Sequence, residues 1–186
     1  MDLVVLLDDE GTPIGTADRE TVHSTDTPLH LAFSCYLVDD LGRVLITRRA
    51  LSKRSWPGVW TNSCCGHPRP GEHMLDAVAR RVREELGTEV EGLTEVLPDF
   101  RYRAVDASGV IEHEHCPVYI GRLRGELLPD PDEVAEWAWV ENLEQLAAAA
   151  ELAPYAFSPW LRGQVPQMVD AAAAPLLPPA HNGAAQ

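Results

Sequence analysis

Residues 72–86 place the tightest limit on how this chain can fold, because their apolar positions recur at intervals of three and four. The repeating apolar residues are Leu75, Val78, Ala79, Val82 and Leu86. This spacing puts them on one face of an α-helix, and the glycine at position 87 is a typical C-terminal stop. The segment therefore predicts an α-helix over residues 72–86.

Short runs rich in β-forming residues occur on both sides of this helix. The predicted strands are residues 3–7, 14–16, 31–38, 43–47, 100–104 and 111–123. Turn sequences such as Asp39-Asp40-Leu41-Gly42 separate neighbouring runs, which predicts β-hairpins. A second helix is predicted over residues 142–152, and Ser158-Pro159 predicts the start of a third. Strands and helices are therefore mixed in an α/β arrangement.

The length of 186 residues suits one domain with a sizeable core better than two. Residues 1–170 are predicted to form this domain. Residues 171–186 are rich in alanine and proline and lack periodicity, so we expect them to form a disordered C-terminal tail.

The charge of the chain excludes some partners and favours others. The formal net charge is −14, yet residues 43–103 hold 11 of the 15 basic and only 8 of the 29 acidic residues. An acidic remainder would repel a long polyanion, so no nucleic-acid partner is expected. A small polyanion could still reach the basic segment, which indicates a phosphorylated metabolite as the ligand.

Several features indicate a cytoplasmic protein. The N-terminal residues lack the features of a signal peptide, and no apolar stretch is long enough to cross a membrane. The four cysteines are few for a disulfide scaffold and fit a reducing compartment. Membrane association is not expected, and the chain is expected to be a monomer or a weak homodimer.

Two acidic residues close together in a predicted strand form the first part of a candidate metal site. Glu112 and Glu114 share one face of the strand, because successive side chains alternate. A pair of carboxylates on one face favours a cation. His113 and His115 lie on the opposite face and would replace the glutamates as ligands if the strand were turned over.

Three more histidines are candidate ligands for the same cation. His23, His30 and His67 lie in polar connecting segments, where metal ligands are often found. We expect these imidazoles to converge on the glutamate pair.

The segment around the first predicted helix resembles the Nudix box, Gly-x5-Glu-x7-Arg-Glu-hydrophobic-x-Glu-Glu-x-Gly. The matching residues are Gly66, Glu72, Arg80, Glu84, Glu85 and Gly87. One position departs from the motif, because Arg81 stands where a Nudix hydrolase has a metal-binding glutamate. This departure weakens the interpretation of the chain as a hydrolase.

The chain from about residue 3 to residue 160 resembles the type I isopentenyl diphosphate isomerases, a family with the Nudix fold. The segments that carry the resemblance are residues 29–34 (LHLAFS), 48–53 (RRALSK), 56–68 (WPGVWTNSCCGHP), 99–104 (DFRYRA) and 157–160 (FSPW). The resemblance implies an α/β/α sandwich with a mixed sheet. It also implies interconversion of isopentenyl and dimethylallyl diphosphate in isoprenoid biosynthesis, on a small-molecule prenyl diphosphate and without a flavin.

The resemblance also implies catalytic roles. Cys65 and Glu114 would be the proton-transfer pair, with Tyr102 beside the glutamate. Protonation would come from the side of Glu114 and Tyr102, and Cys65 would remove the second proton. Trp160 would face the carbocation formed between the two steps.

The same resemblance implies how the diphosphate and the cations are held. Arg49, Lys53 and Arg81 would bind the diphosphate, and Arg19 stands where the family has a lysine. The implied ligands of the first cation, Mn²⁺ or Mg²⁺ with Zn²⁺ as an alternative, are His23, His30, His67, Glu112 and Glu114. A second cation, Mg²⁺, would be held by Glu85 and the diphosphate, near the backbone carbonyl of Cys65.

Two other functions compete with isomerisation. A Nudix pyrophosphohydrolase would cleave its substrate with metal-activated water, but Arg81 and Cys65 both argue against it. A metal- or phosphate-binding module without catalysis is the second alternative. The thiol, the glutamate and the tryptophan at the positions implied by the resemblance argue against that module.

Overall fold

A computed structural model of the chain describes residues 2–173. The strands in this range are β1 (Leu3–Leu7), β2 (Pro13–Asp18), β3 (His30–Leu31), β4 (Phe33–Val38), β5 (Val44–Arg49), β6 (Trp60–Thr61), β7 (Cys64–Gly66), β8 (Glu89–Leu97), β9 (Arg101–Val105), β10 (Ile111–His115), β11 (Val118–Arg124) and β12 (Val134–Val140). The helices are α1 (Met74–Leu86), α2 (Leu143–Leu152) and α3 (Pro159–Ala173), with a short 3-10 turn at Pro154–Ala156. The mixed α/β arrangement is confirmed.

The strands form two sheets. One has the order β2-β1-β3-β10-β9, and the other has the order β12-β5-β4-β11-β8, with β6 beside β5 and β7 beside β4. Most neighbouring strands are antiparallel, but β3 pairs with β10 and β4 pairs with β11 in parallel. Both sheets are therefore mixed.

The helices cover both faces of the seven-stranded sheet. Phe33, Cys35 and Leu37 of β4 pack in one apolar cluster with buried residues of α1. Tyr36, between them in the strand, packs on the other side with residues of α2 and α3. This alternation is the period of two expected for a strand buried on both faces. The layers confirm the α/β/α sandwich.

Two long predicted strands are each divided between the sheets. The predicted strand 31–38 changes sheet at Ala32, and the predicted strand 111–123 changes sheet at Cys116-Pro117. The two segments pass from one sheet to the other side by side. Ala32 N–H donates to the carbonyl of His115 (2.9 Å), and Ser34 N–H donates to the carbonyl of Pro117 (3.0 Å). The prediction of two continuous strands is wrong. Leu31 and Phe33 on either side of Ala32 are both apolar, so hydropathy does not mark the first crossing. At the second crossing, Pro117 was an available mark, because proline is disfavoured inside a strand.

The first two helices agree with their predictions. Helix α1 begins at Met74, two residues later than predicted, and ends at Gly87, whose φ of 60° is in the left-handed region. Helix α2 is capped by Asn142, whose side chain accepts a hydrogen bond from the Gln145 N–H (2.8 Å).

Helix α3 begins at Pro159 as predicted. The hydroxyl of Ser158, the residue before it, accepts a hydrogen bond from the Leu161 N–H (3.3 Å). The helix continues to Ala173, so residues 171–173, which were predicted to belong to the tail, are helical. The remainder of the predicted tail, residues 174–186, lies outside the described residues. Within residues 2–173, none of the helices has the length and apolarity needed to span a bilayer.

Candidate active site

A cavity of about 260 Å³ is lined by residues of both sheets, of α1 and of the start of α3. Glu112 and Glu114 of β10 and Tyr102 of β9 line it from the five-stranded sheet. Cys65 of β7 lines it from the seven-stranded sheet. The cavity thus brings acidic and thiol side chains from different sheets to one place.

Three imidazoles surround one carboxylate at the edge of this cavity. The distances from Oε1 of Glu114 to the Nε2 atoms are 3.6 Å for His23, 3.5 Å for His30 and 3.2 Å for His67. One ligand atom from each of these residues lies within 4.8 Å of the others. His30 and Glu114 are direct neighbours on the parallel strands β3 and β10.

The geometry of this group fits a divalent cation. Nδ1 of His30 lies 2.9 Å from the carbonyl oxygen of Pro28, and donation to that oxygen leaves Nε2 with a free lone pair. Nε2 of His23 and Nε2 of His30 are buried without a hydrogen-bond partner. Buried polar atoms normally have a partner, so these two nitrogens are suited to a cation. Three nitrogens and one carboxylate oxygen are a common donor set for divalent metals.

Charge states in the group also suit metal binding. Burial lowers the pKa of His67 to about 4, so its imidazole is neutral at pH 7. Burial alone would raise the pKa of Glu114, but the three surrounding imidazoles, with His67 within hydrogen-bond distance at 3.2 Å, hold it well below its usual value. The group therefore presents a neutral imidazole at His67 and an ionised carboxylate at Glu114.

Glu112 lies beside this group and not within it. Its Oε2 accepts a hydrogen bond from the hydroxyl of Tyr102 (2.6 Å), and its Oε1 accepts one from Ser55. The Tyr102 hydroxyl also lies 2.8 Å from Oε2 of Glu114. A phenol has one proton to donate, so the two carboxylates share a single donor. Burial and the two carboxylates raise the pKa of Tyr102 well above its usual value, which keeps this proton in place.

The thiol of Cys65 is held between two polar side chains. Its Sγ donates to Oδ1 of Asn62 (3.2 Å) and lies 3.5 Å from Oγ of Ser34. The Ser34 hydroxyl is itself fixed by a hydrogen bond from Nε2 of Gln164 (2.9 Å). Burial raises the pKa of Cys65 to about 12, so the free protein holds it as a thiol.

Trp160 packs over the same cavity from α3, with only 2% of its surface exposed. Its ring centroid lies 5.7 Å from that of Tyr102, and the Arg49 guanidinium lies 5.3 Å from its centroid. Its indole N–H donates to Oδ1 of Asn62 (2.9 Å). An aromatic face is therefore fixed beside the acidic side of the cavity.

A family model described as the NUDIX domain matches residues 28–161 of the chain. The isopentenyl-diphosphate Delta-isomerase of Paenarthrobacter aurescens (strain TC1) is 58% identical over 175 residues, which are 94% of this chain and 95% of that protein. The protein of the same name from Mycolicibacterium vanbaalenii is 61% identical over 171 residues, which are 92% and 93% of the two chains. The chain belongs to the NUDIX isopentenyl-diphosphate Delta-isomerase family.

Solved structures with a similar fold agree with this architecture. The crystal structure of DR0079 from Deinococcus radiodurans has a TM-score of 0.68 at 21% identity, covering 90% of this chain and 99% of that one. The MutT NUDIX hydrolase from Burkholderia pseudomallei has a TM-score of 0.58 at 26% identity, covering 75% and 97% of the two chains.

The four basic residues implied by the resemblance to the isomerases all line the cavity. They are Arg19, Arg49, Lys53 and Arg81. Burial and the neighbouring arginines lower the pKa of Lys53, although Glu85 opposes this effect. Such a concentration of positive charge is suited to an anion.

Carboxylates form ion pairs with several of these basic side chains. Glu133 pairs with Lys53, and Glu85 pairs with Arg81 within α1. Gly66 allows Arg81 to lie close to β7, since a Cβ at this glycine would be 2.8 Å from Cγ of Arg81. Arg19 differs from the others, because it pairs with Asp2 (2.8 Å) and its side chain is 38% exposed.

The structure brings most of the isomerase-type residues together, with two differences from the sequence analysis. His30 is fully buried in β3, so the prediction that it lies in a polar connecting segment is wrong. It was missed as a strand residue because β3 has only two residues. The second difference is Glu112, which was expected among the ligands but lies outside the group. His113 and His115, the ligands expected only for a reversed strand, also lie outside it, and Nε2 of His115 lies 3.2 Å from the carbonyl of Pro98.

Sequence reasoning missed several polar residues of the site. Asn62 and Ser34 contact Cys65, Ser55 contacts Glu112, and Glu133 contacts Lys53. Asn62 and Ser34 both lie within the segments that resemble the isomerases, which was the available signal. Glu133 lies 80 positions from Lys53 in an acidic stretch, and nothing in the sequence marks it.

Proposed function

We propose that this chain interconverts isopentenyl diphosphate and dimethylallyl diphosphate in isoprenoid biosynthesis. The observation that carries the proposal is a single cavity lined by a thiol from one sheet, a carboxylate from the other and four basic side chains. Relatives at 58 to 61% identity are named for this isomerisation. The reaction moves a double bond by one carbon and involves no redox change.

The chemistry needs one proton donor and one proton acceptor. Adding a proton to the terminal carbon of the alkene gives a tertiary carbocation, and loss of a proton from the carbon on the other side gives the isomer. We assign protonation to the side of Glu114 and Tyr102 and deprotonation to Cys65. Tyr102 keeps a proton on the first side, because its pKa is raised. Cys65 would first lose its thiol proton to water, and the resulting thiolate would then take the proton from carbon. Because its pKa is raised to about 12, this thiolate is scarce but strongly basic.

The carbocation needs an electron-rich neighbour and protection from water. The face of Trp160 would supply the first through a cation–π interaction of about 2 kcal/mol in a desolvated site. Trp160 is buried against Tyr102, which supports the exclusion of water from the carbocation.

The diphosphate would replace the carboxylates that now pair with the basic residues. Arg49 and Arg81 are suited to bidentate contacts with phosphate oxygens, and Lys53 supplies a point charge. Arg19 would contribute from the rim, where it is more exposed.

We assign the His/Glu group to Mn²⁺ or Mg²⁺, with Zn²⁺ as the alternative. His23, His30, His67 and Glu114 would hold this cation. Glu112, which lies beside this group, is proposed as the fifth ligand. When bound, it fixes the Glu114 carboxylate in place and alters its pKa. A second cation, Mg²⁺, is assigned to Glu85 and the diphosphate oxygens, near the carbonyl of Cys65.

We further propose that the protein acts in the cytoplasm as a monomer or weak homodimer. All four of its cysteines are free thiols, as expected in a reducing compartment.

The test is proton NMR of the purified protein with isopentenyl diphosphate, Mg²⁺ and Mn²⁺ in deuterated buffer. Deuterium-labelled dimethylallyl diphosphate is expected from the wild type, and its formation should fall below detection in Cys65→Ala. Cys35→Ala is the control, because it removes a thiol that lies outside the cavity. Metal content should be the same in all three proteins. The absence of product from the wild type, with phosphate released from a nucleoside diphosphate derivative, would instead identify a hydrolase.

A further inference from the structure

We infer that Asn62 is a positioning residue that holds the thiol of Cys65 and the indole of Trp160 in one fixed arrangement. The inference rests on the proposed function, which gives both of these side chains a role. Asn62 is fully buried between β6 and β7. Its carboxamide contacts both side chains, and it does not line the cavity.

The orientation of this carboxamide is fixed by its partners. Its Nδ2 donates to the backbone carbonyls of Cys35 (3.1 Å) and Cys64 (2.7 Å), which can only accept. The indole N–H of Trp160 can only donate, so it requires Oδ1 on its side. A flipped amide would place donor against donor and acceptor against acceptor at these contacts. Oδ1 must therefore face both Trp160 and Cys65.

At Cys65, this oxygen determines where the thiol proton points. The S–H donates to Oδ1 of Asn62 (3.2 Å), and Oγ of Ser34 lies 3.5 Å from the sulfur. Once the Cys65 thiolate has taken a proton from the substrate carbon, that proton would therefore point toward Asn62, which does not line the cavity. This points the proton away from the alkene that has just formed and disfavours its return.

At Trp160, the same oxygen fixes the rotation of the ring. Trp160 enters from α3, 98 positions along the chain from Asn62. The hydrogen bond prevents the indole from turning about its side-chain bonds, so the ring keeps its tilt of 38° to Tyr102. Asn62 thus links the base to the aromatic face that would stabilise the cation.

This arrangement predicts a particular kinetic effect. The four basic side chains assigned to the diphosphate form no hydrogen bond with Asn62 among the described residues. Loss of the carboxamide should therefore leave substrate binding nearly unchanged. It should slow the step that needs Cys65 and Trp160 aligned, since small misplacements of reacting groups cost about 10- to 100-fold in rate.

The experiment compares Asn62→Leu with Ser63→Ala. Ser63 is the matched control because it is adjacent, fully buried and doubly hydrogen-bonded, to Leu37 N–H (2.7 Å) and to the Leu45 carbonyl (2.6 Å), yet does not line the cavity. We expect kcat to fall about 10- to 100-fold in Asn62→Leu with KM within about twofold. We expect kcat of Ser63→Ala to stay within about threefold of the wild type, at a similar fall in melting temperature.

A kcat for Asn62→Leu equal to that of Ser63→Ala, or a rise in KM that accounts for the whole effect, would overturn the inference. If Asn62→Leu does not fold, Asn62→Ala takes its place under the same criteria, because its smaller side chain leaves room for water at the two carbonyls.

A second measurement separates this inference from the proposed function. In ¹⁵N-labelled protein, the indole N–H resonance of Trp160 is identified by its loss in Trp160→Phe. We expect this resonance to shift and to exchange faster with solvent in Asn62→Leu, while Ser63→Ala leaves it unchanged. An unaltered resonance would contradict the role of Asn62 even in an active enzyme. If the wild type shows no turnover but the Trp160 resonance still changes in Asn62→Leu, only the isomerase proposal would be contradicted.

Discussion

The thiol of Cys65 differs from an ordinary surface cysteine because its environment favours the neutral form. Burial raises its pKa to about 12, from an ordinary value near 9. A raised pKa means that the thiolate is scarce at neutral pH and becomes more abundant as the pH rises. Below the pKa, each pH unit increases the thiolate fraction about tenfold.

We therefore expect the rate of Cys65 alkylation by iodoacetamide to rise about tenfold per pH unit between pH 7 and pH 9, without a plateau. Mass spectrometry of the modified peptide would follow the rate. The other three cysteines are buried and serve as internal controls for unfolding, since they should remain unmodified. A plateau below pH 8 would show that the site stabilises the thiolate and would contradict this prediction.

At the level of single residues, the sequence predicted those that belong to recognisable segments. Cys65, His30 and His67 lie in the segments that resemble the isomerases, whereas Glu114 was found from the alternation of its strand and His23 from its polar connecting segment. The function of Asn62 was not predicted, although it lies in the same segment as Cys65. Its two decisive contacts are an indole 98 positions away and a thiol whose orientation only the folded chain defines.

Helix α1 carries Arg80, Arg81, Glu84 and Glu85 of the Nudix-like segment. The position of its C-terminal end therefore affects where these side chains lie. Gly87 ends it with a φ of 60°, and a Cβ there would lie 2.5 Å from the backbone oxygen of Leu128. Gly92 has a similar φ of 63°, but a Cβ there would meet nothing within 4 Å. A comparison of alanine substitutions at these two positions therefore distinguishes the cost of backbone strain from the cost of a steric clash.

We expect Gly92→Ala to lower the free energy of unfolding by about 1 kcal/mol, the usual cost of alanine in the left-handed region. Gly87→Ala should cost at least about 2 kcal/mol, because the clash with Leu128 adds to that strain. For a chain of this size, the extra loss corresponds to about 2–4 °C in melting temperature per kcal/mol. Thermal unfolding by circular dichroism checks this order, and equal losses would rule out the clash.

The elements that the sequence predicted are those with strong local signals. Helix α1 has its apolar periodicity and terminal glycine, and α2 has its Asn142 cap. Strands β8 and β12 were missed because neither shows a clean alternation of buried and exposed residues. Strands β6 and β7 are only two and three residues long, and pairing with β5 and β4 defines them rather than composition.

For the whole molecule, α3 is required to complete the core. Trp160, Leu161, Val165 and Met168 are all at most 3% exposed and belong to one apolar cluster with α2 and the seven-stranded sheet. We expect a chain ending at residue 173 to keep its melting temperature and its isomerase activity. A chain ending at residue 158 should fail to fold, because burial of each large apolar side chain contributes about 1.5–3 kcal/mol. Loss of activity in the chain that ends at residue 173 would place residues 174–186 within the functional domain.

The four members of the His/Glu group come from a loop after β2, from β3, from the segment after β7 and from β10. They span residues 23–114, and together they touch both sheets. A cation held there would close three loops at once, as a covalent cross-link does, and an unfolded chain could not hold it in the same way. Its binding would therefore add to the free energy of unfolding in proportion to the logarithm of its concentration. The ion that positions a carboxylate for catalysis would then also stabilise the fold. Removal of the metal would lower the free energy of unfolding as well as the activity.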